Sequence, residues 1–158
     1  MKPSWGTIIV MDLDRFGEYV EARGLSSYSP NEVTGTLSRL VESFISKFNG
    51  VLVYGLDWER GTEEAVIEVP QLDAMSTVED LKAIAKDVAS LGASITIVAL
   101  TGYIIGAKAR SRREAYSGSL RSKARRVLER LKRRGGGVVY VDGLIVWSLR
   151  DEEKVFNY

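Results

Sequence analysis

Histidine and cysteine are both missing from this chain of 158 residues. Without histidine there is no Ser-His-Asp triad, no Cys-His dyad and no imidazole general base. Without either residue, zinc sites built on Cys or His are excluded. The chemistry left is that of carboxylates, hydroxyls, lysine, arginine and hard metals bound through oxygen, such as Mg²⁺ or Mn²⁺. The lack of a disulfide framework fits a reducing, cytoplasmic setting. Proline is scarce, at three residues, and no Pro/Gly/Ser linker or repeat divides the chain. One domain over residues 1–158 is expected. No apolar run approaches the roughly 18 to 20 residues needed to cross a bilayer, so no membrane partner is expected. Met1-Lys2-Pro3-Ser4-Trp5 carries one lysine with no apolar stretch behind it, which argues against a secretory signal.

What is present is an ordinary globular composition, 45% hydrophobic and 27% charged. The net charge is only +1, but it is unevenly placed. Across residues 108–134 twelve Lys or Arg stand against two Glu, while the remainder is net acidic. Such asymmetry suggests either an anionic partner, phosphate or nucleic acid, or a solvated helix face balancing the acidic rest.

Residues 7–11 are a β-branched run ending at Asp12, the pattern of a buried central strand. A short helix is expected over 16–22 and a turn-rich loop over 26–31. Val33, Leu37, Leu40, Val41, Phe44, Ile45 and Phe48 then repeat at helical spacing before Asn49-Gly50. Residues 51–56 and 65–69 read as a hairpin with a polar loop, 81–88 as an amphipathic helix, and 94–100 as a second buried strand. Whether residues 103–106 extend that strand or form a loop is left open. Leu120, Ala124, Val127, Leu128 and Leu131 set an apolar stripe on the basic helix, stopped by Gly135-Gly136-Gly137. A hairpin closes the chain around Asp142-Gly143, a type I′ turn signal. The order β-α-α-β-β-α-β-α-β-β predicts an α+β sandwich on the ferredoxin-like plan: a mixed, mainly antiparallel sheet with helices packed on one face.

Two motifs carry candidate chemistry. Asp12-Leu13-Asp14 sits just past the first strand, where a turn at Leu13 would let one carboxylate and a backbone carbonyl face the same cation. The same pattern also serves as a cap for a following helix. Asp57, in Tyr54-Gly55-Leu56-Asp57-Trp58, heads the central hairpin. If that hairpin lies beside the first strand, Asp57 and Asp12 share a site; otherwise Asp57 is a loop carboxylate and Gly55 serves the turn alone.

Together these segments resemble the palm-type nucleotidyl cyclase domains, a group that includes GGDEF diguanylate cyclases, the CRISPR polymerase palm and archaeal GTP cyclohydrolase III. Asp12-Leu13-Asp14-Arg15-Phe16 resembles the first motif of that family, Asp-Ile-Asp-x-Phe. Val53-Tyr54-Gly55-Leu56-Asp57 resembles its Arg-Tyr-Gly-Gly-Asp hairpin, and Ala65-Val66-Ile67-Glu68-Val69-Pro70 the strand that follows. Ala124, Leu128, Lys132 and Gly135 keep the spacing of its late helix. The likeness runs in order over residues 6–141. It implies that Asp12 and Asp57 are catalytic metal ligands, that the Leu13 carbonyl is a further ligand, and that Asp14 supports them. It implies that Lys132 binds the phosphates of a nucleoside triphosphate, GTP or ATP, with two Mg²⁺ (or Mn²⁺) as cofactors. A homodimer is a further partner it allows.

The departures narrow this. Leu56 replaces the second hairpin glycine, Trp58 replaces the acidic residue after Asp57, and residues 59–64 are an added stretch. Val20 stands where a diguanylate cyclase reads guanine with asparagine. A standard diguanylate cyclase is therefore not expected. The readings carried forward are a divergent nucleotidyl cyclase, a hydrolase similar to GTP cyclohydrolase III, an inactive nucleotide-binding relative, and a nucleic-acid-binding protein using the basic stretch 108–134. The aromatics Trp5, Tyr19, Trp58 and Tyr116 are scattered and do not support a base-stacking platform for single strands.

Overall fold

In the computed structural model, which describes residues 4–26 and 30–156, the chain forms six strands and six helices. The strands are β1 (Ser4–Leu13), β2 (Val51–Gly55), β3 (Glu64–Pro70), β4 (Ile95–Ile104), β5 (Val138–Val141) and β6 (Leu144–Ser148). The helices are α1 (Phe16–Ala22), α2 (Glu32–Phe48), α3 (Val78–Ser90), α4 (Arg112–Ala115), α5 (Ser119–Arg133) and α6 (Leu149–Phe156). The turn-rich stretch 26–31 and the amino-terminal residues 1–3 fall partly or wholly outside the described residues.

The strands form one sheet in the order β2-β3-β1-β4-β5-β6. All neighbours are antiparallel except β4 and β5. This is the expected α+β sandwich, and the β2–β3 hairpin does lie beside β1. Residues 103 and 104 belong to β4, where Tyr103 pairs with Trp5, while Ile105 and Gly106 are loop. The carboxy-terminal α6 was not foreseen.

One detail of the expected architecture is corrected: helices cover both faces of the sheet, not one. The reason lies in β1, which is apolar at every position from Ile8 to Met11, so each face of it needs a cover. Ile9, Met11 and Leu13 face a core shared with Phe16 and Val20 of α1, Val33, Leu37, Val41 and Phe44 of α2, and Leu81, Ile84 and Val88 of α3. Ile8 and Val10 face the opposite core, closed by Ala124, Val127 and Leu128 of α5. Each fully buried aliphatic side chain contributes roughly 1.5 to 3 kcal/mol. The two faces therefore clamp β1 in place, and its carboxyl end becomes a rigid platform.

Local signals explain the helix ends. Asn31 caps α2 in a reciprocal box: its Oδ1 accepts from the Thr34 amide at 3.0 Å and its own amide donates to Thr34 Oγ1 at 2.9 Å. Asn49, at φ 52, ends the same helix in the left-handed conformation. Within the second core the buried pair Glu68–Arg121 breaks the apolar pattern. Arg121 donates from Nη2 to Glu68 Oε1 at 2.8 Å, and from the same nitrogen to the Ala107 carbonyl at 2.8 Å. Glu68 also accepts from the Gly106 amide at 2.8 Å, so this pair ties β3, α5 and the loop after β4 together.

Candidate functional site

The end of β1 is held by backbone bonds on both sides. The Leu13 amide donates to the Glu63 carbonyl at 2.9 Å and the Asp14 amide to the Ser94 carbonyl at 2.7 Å. Arg15 then takes a left-handed conformation, φ 46, and turns the chain into α1. This turn sends Asp12 and Asp14 into different environments.

Asp14 is buried, and its carboxylate is saturated. It accepts from Ser94 Oγ at 2.7 Å, Thr96 Oγ1 at 2.7 Å and the Gly137 amide at 2.8 Å. The glycine run is what permits this: a Cβ on Gly136 would lie 2.5 Å from Asp14 Oδ1. Asp14 thus fastens the α5–β5 turn to the end of β1.

Asp12 is half-buried at the floor of a cleft of about 630 Å³. Tyr54, Gly55, Leu56, Asp57 and Trp58 of the hairpin line the same cleft, with Glu64 and Arg112. The fold therefore brings Asp12 and Asp57 to one cavity. Lys132, from the last turn of α5, donates to the Leu13 carbonyl at 2.9 Å and pairs with Asp12 Oδ2 at 3.1 Å and Asp14 Oδ1 at 3.4 Å. Burial pushes the Asp12 carboxyl above the usual carboxylate value; Lys132 opposes this, while Glu64 and Asp14 add to it.

Asp57 has a structural task. Its Oδ1 accepts from the amides of Glu59 and Arg60, both at 2.9 Å, and so caps the turn of the hairpin loop. Its own amide donates to Thr62 Oγ1 at 3.0 Å, and Thr62 and Ser38 hydroxyls lie 2.6 Å apart, which anchors the hairpin to α2. Gly55, at φ 108, admits no side chain, since a Cβ would lie 2.3 Å from the Glu64 carbonyl oxygen. Leu56 follows at φ 49, a left-handed conformation that suits glycine. The backbone thus keeps a two-glycine shape with leucine in the second position.

Three residues of this region escaped the sequence reading. Glu64 is the cross-strand partner of Asp12, and it accepts from Arg112 Nε at 2.7 Å and from the Tyr116 hydroxyl at 3.0 Å. Burial and the adjacent Glu64 hold the Tyr116 hydroxyl protonated well above its ordinary value. Hydrogen bonding to Glu64 likewise raises Arg112. The strand register was the signal needed for Glu64, and it is not written in spacing alone. Val20 packs into the core beside Phe16.

Whether a divalent metal fits turns on the donor set. Asp12 Oδ2 and the Leu13 carbonyl are hard oxygens that already converge on one cation, the Lys132 ammonium. Their chemistry suits Mg²⁺ or Mn²⁺, with the lysine displaced. Among the described residues no group of three or more Asp, Glu, His or Cys converges as a metal site.

No family model matches the chain, and no curated protein matches it. Among solved structures, it is similar to the crystal structure of the adenylyl cyclase CyaB from P. aeruginosa, at 13% identity and a TM-score of 0.42, covering 88% of this chain and 78% of that one. No helix among the described residues is long and apolar enough to cross a membrane.

Proposed function

We propose that this domain binds a nucleoside triphosphate, GTP or ATP, between the end of β1 and the β2–β3 hairpin, and that it is a divergent palm of the nucleotidyl cyclase type. The observation that carries the reading is the shared cleft: Asp12 and Asp57, the carboxylates of the two resembling motifs, line one cavity with Tyr54 and Trp58. Trp58 is half exposed there, and a flat aromatic face beside an acidic floor suits a purine base and its sugar.

In this reading Asp12, the Leu13 carbonyl and Asp57 hold Mg²⁺ or Mn²⁺, which when bound supplies charge neutralisation at the phosphates and activation of an attacking hydroxyl. Lys132 turns from Asp12 to the phosphates, an exchange of one anionic partner for another. Asp14 keeps the β1 end and the α5–β5 turn in register. A histidine-free chain is suited to such work, because phosphoryl chemistry rests on positioning and charge more than on proton shuttling.

One observation favours a second reading, a binding module without turnover. Two of the groups assigned to the metal, Asp12 and the Leu13 carbonyl, are already satisfied by the ammonium of Lys132, and Leu56 fills the position of the second glycine. The nucleic-acid reading loses Arg121, which is locked to Glu68 inside the core, while Arg112, Arg125 and Lys132 line a smaller cavity next to Asp12; the exposed Lys123, Arg126 and Arg130 lie outside both cavities and keep that reading as an outcome of the test. A screen of nucleotides with Mg²⁺ or Mn²⁺, reading binding and product together, separates the cases. Cyclic or ring-opened product supports an enzyme, binding without product supports the module, and no binding at all contradicts the proposal.

A further inference from the structure

Beside the main cleft lies a second, smaller cavity of about 240 Å³, and the two share Asp12 and Arg112. Their charges are opposite. The large cleft is lined by Asp12, Asp57, Glu63 and Glu64 against the single cation Arg112. The small one is lined by Arg112, Arg125, Lys132 and Arg133 against Asp12 and Glu129.

The cations of the small cavity are organised. The guanidinium carbons of Arg112 and Arg125 lie 5.5 and 4.8 Å from the centre of the Tyr116 ring. That ring is buried, and its hydroxyl is fixed to Glu64 at 3.0 Å, so it is a rigid anchor for the two guanidinium groups. Each inward cation rests on a carboxylate: Arg112 on Glu64, Arg125 on Glu129 at 3.0 Å, and Lys132 on Asp12. A phosphate offers the same paired oxygens with more charge, and a guanidinium accepts such an exchange without loss of geometry.

We infer that the small cavity is the seat of a polyphosphate tail, clamped by Arg112, Arg125 and Arg133 beside Lys132. Arg112, common to both cavities, marks the junction between tail and sugar. The opposite charges of the two cavities then fix the direction of the ligand, phosphates under α5 and base toward Trp58. This rests on the nucleotide reading above and adds to it the residues and the orientation.

The test uses the full chain and inorganic tripolyphosphate, without divalent cation, in a calorimetric titration at low salt. Arg125→Gln and Arg133→Gln are each expected to weaken binding about tenfold, the loss of one charge-assisted contact. Lys123→Gln, on the exposed face of the same helix, is expected to leave it unchanged. Thermal melts of the variants confirm that the helix is intact. Equal affinity of Arg125→Gln, Arg133→Gln and the parent, or no binding by the parent, overturns the seat. A loss with Lys123→Gln as large as with Arg125→Gln also overturns it, since that is the diffuse field of a nucleic-acid surface. Nucleoside triphosphate binding that ignores Arg125 and Arg133 leaves the nucleotide reading standing without this seat. Tripolyphosphate binding that follows the variants, with no nucleotide bound, keeps the seat and removes that reading.

Discussion

Lys132 and Asp12 meet 3.1 Å apart at the end of the central strand, and the same ammonium donates to the Leu13 carbonyl at 2.9 Å. A lysine from the last turn of α5 therefore occupies two of the three groups that the motif resemblance assigns to a metal. If the lysine serves phosphate, its loss must show in triphosphate affinity. Lys132→Ala is expected to weaken binding about tenfold, as for one charge-assisted contact. Lys123→Ala, exposed two and a half turns earlier, is expected to change it little. Equal losses in a nucleotide titration would mean that α5 acts as a general positive field.

Asp14 supports a different expectation. Its carboxylate satisfies two hydroxyls and the Gly137 amide in a buried setting. Asp14→Ala takes the acceptor from the Ser94 and Thr96 hydroxyls, each costing about 1 to 3 kcal/mol when left unpaired, and leaves the Gly137 amide only its bond to Thr96 Oγ1, so the variant should lose several kcal/mol of stability. Urea unfolding measures this. A variant as stable as the parent, but unable to bind nucleotide, would make Asp14 a ligand rather than a fastening.

Among the described residues Glu68 and Arg121 are the other buried charges, with side chains 1% and 4% exposed. Removing one partner strands the other, and Arg121→Ala should cost about 3 to 5 kcal/mol. The double change Glu68→Leu, Arg121→Leu should cost less than Arg121→Ala alone, because no unpaired charge remains. A double variant that is the less stable of the two would show that the pair's bonds to the loop after β4 outweigh its burial.

These interactions mark where the sequence was legible and where it was not. The unbroken apolar run of β1, the stripe of α2 and the Asp142-Gly143 turn, both residues at positive φ, follow from local rules. Glu68 between Ile67 and Val69 reads like a solvent-facing position, and nothing local announces that Arg121 will cover it. The same holds for the site. Asp12, Asp57 and Lys132 were visible as motif positions, whereas Glu64 depends on strand register and Arg112 was one cation among twelve. The basic helix itself is legible, but its place on the second face is not, because a basic helix reads as solvated although its apolar stripe needs a sheet to cover.

Leu56 gives a prediction about the hairpin. Left-handed backbone costs a non-glycine residue roughly 1 to 2 kcal/mol, and Leu56→Gly relieves that while giving up a half-buried side chain. The two effects are close in size, so stability should move by no more than about 1 kcal/mol. Triphosphate affinity should rise, because the hairpin backbone can then approach the ligand. A thermal melt and a titration on the same variant check both; a large drop in stability with unchanged affinity would make Leu56 packing only.

The pH dependence of stability follows from Asp12. Burial raises its carboxyl above the ordinary 3.8, against the opposing pull of Lys132. A carboxyl raised in the folded state binds its proton more tightly there. Its contribution to stability is present below the unfolded pKa and is lost as the pH rises through the folded one. Asp12→Asn does not titrate, so its stability relative to the parent should improve as the pH is taken up from about 4. Urea midpoints of both proteins across that range decide; a gap that stays flat contradicts the assignment.

The central claim, a nucleotide held between Asp12 and the hairpin, is tested most directly by titrating GTP and ATP in Mg²⁺ or Mn²⁺ into the parent, Asp12→Asn and Asp57→Asn. The account predicts saturable binding to the parent, and loss of its metal-dependent part in both variants while their melting behaviour shows the fold intact. Binding that is the same in all three proteins, or no binding of either nucleotide to the parent, would contradict it.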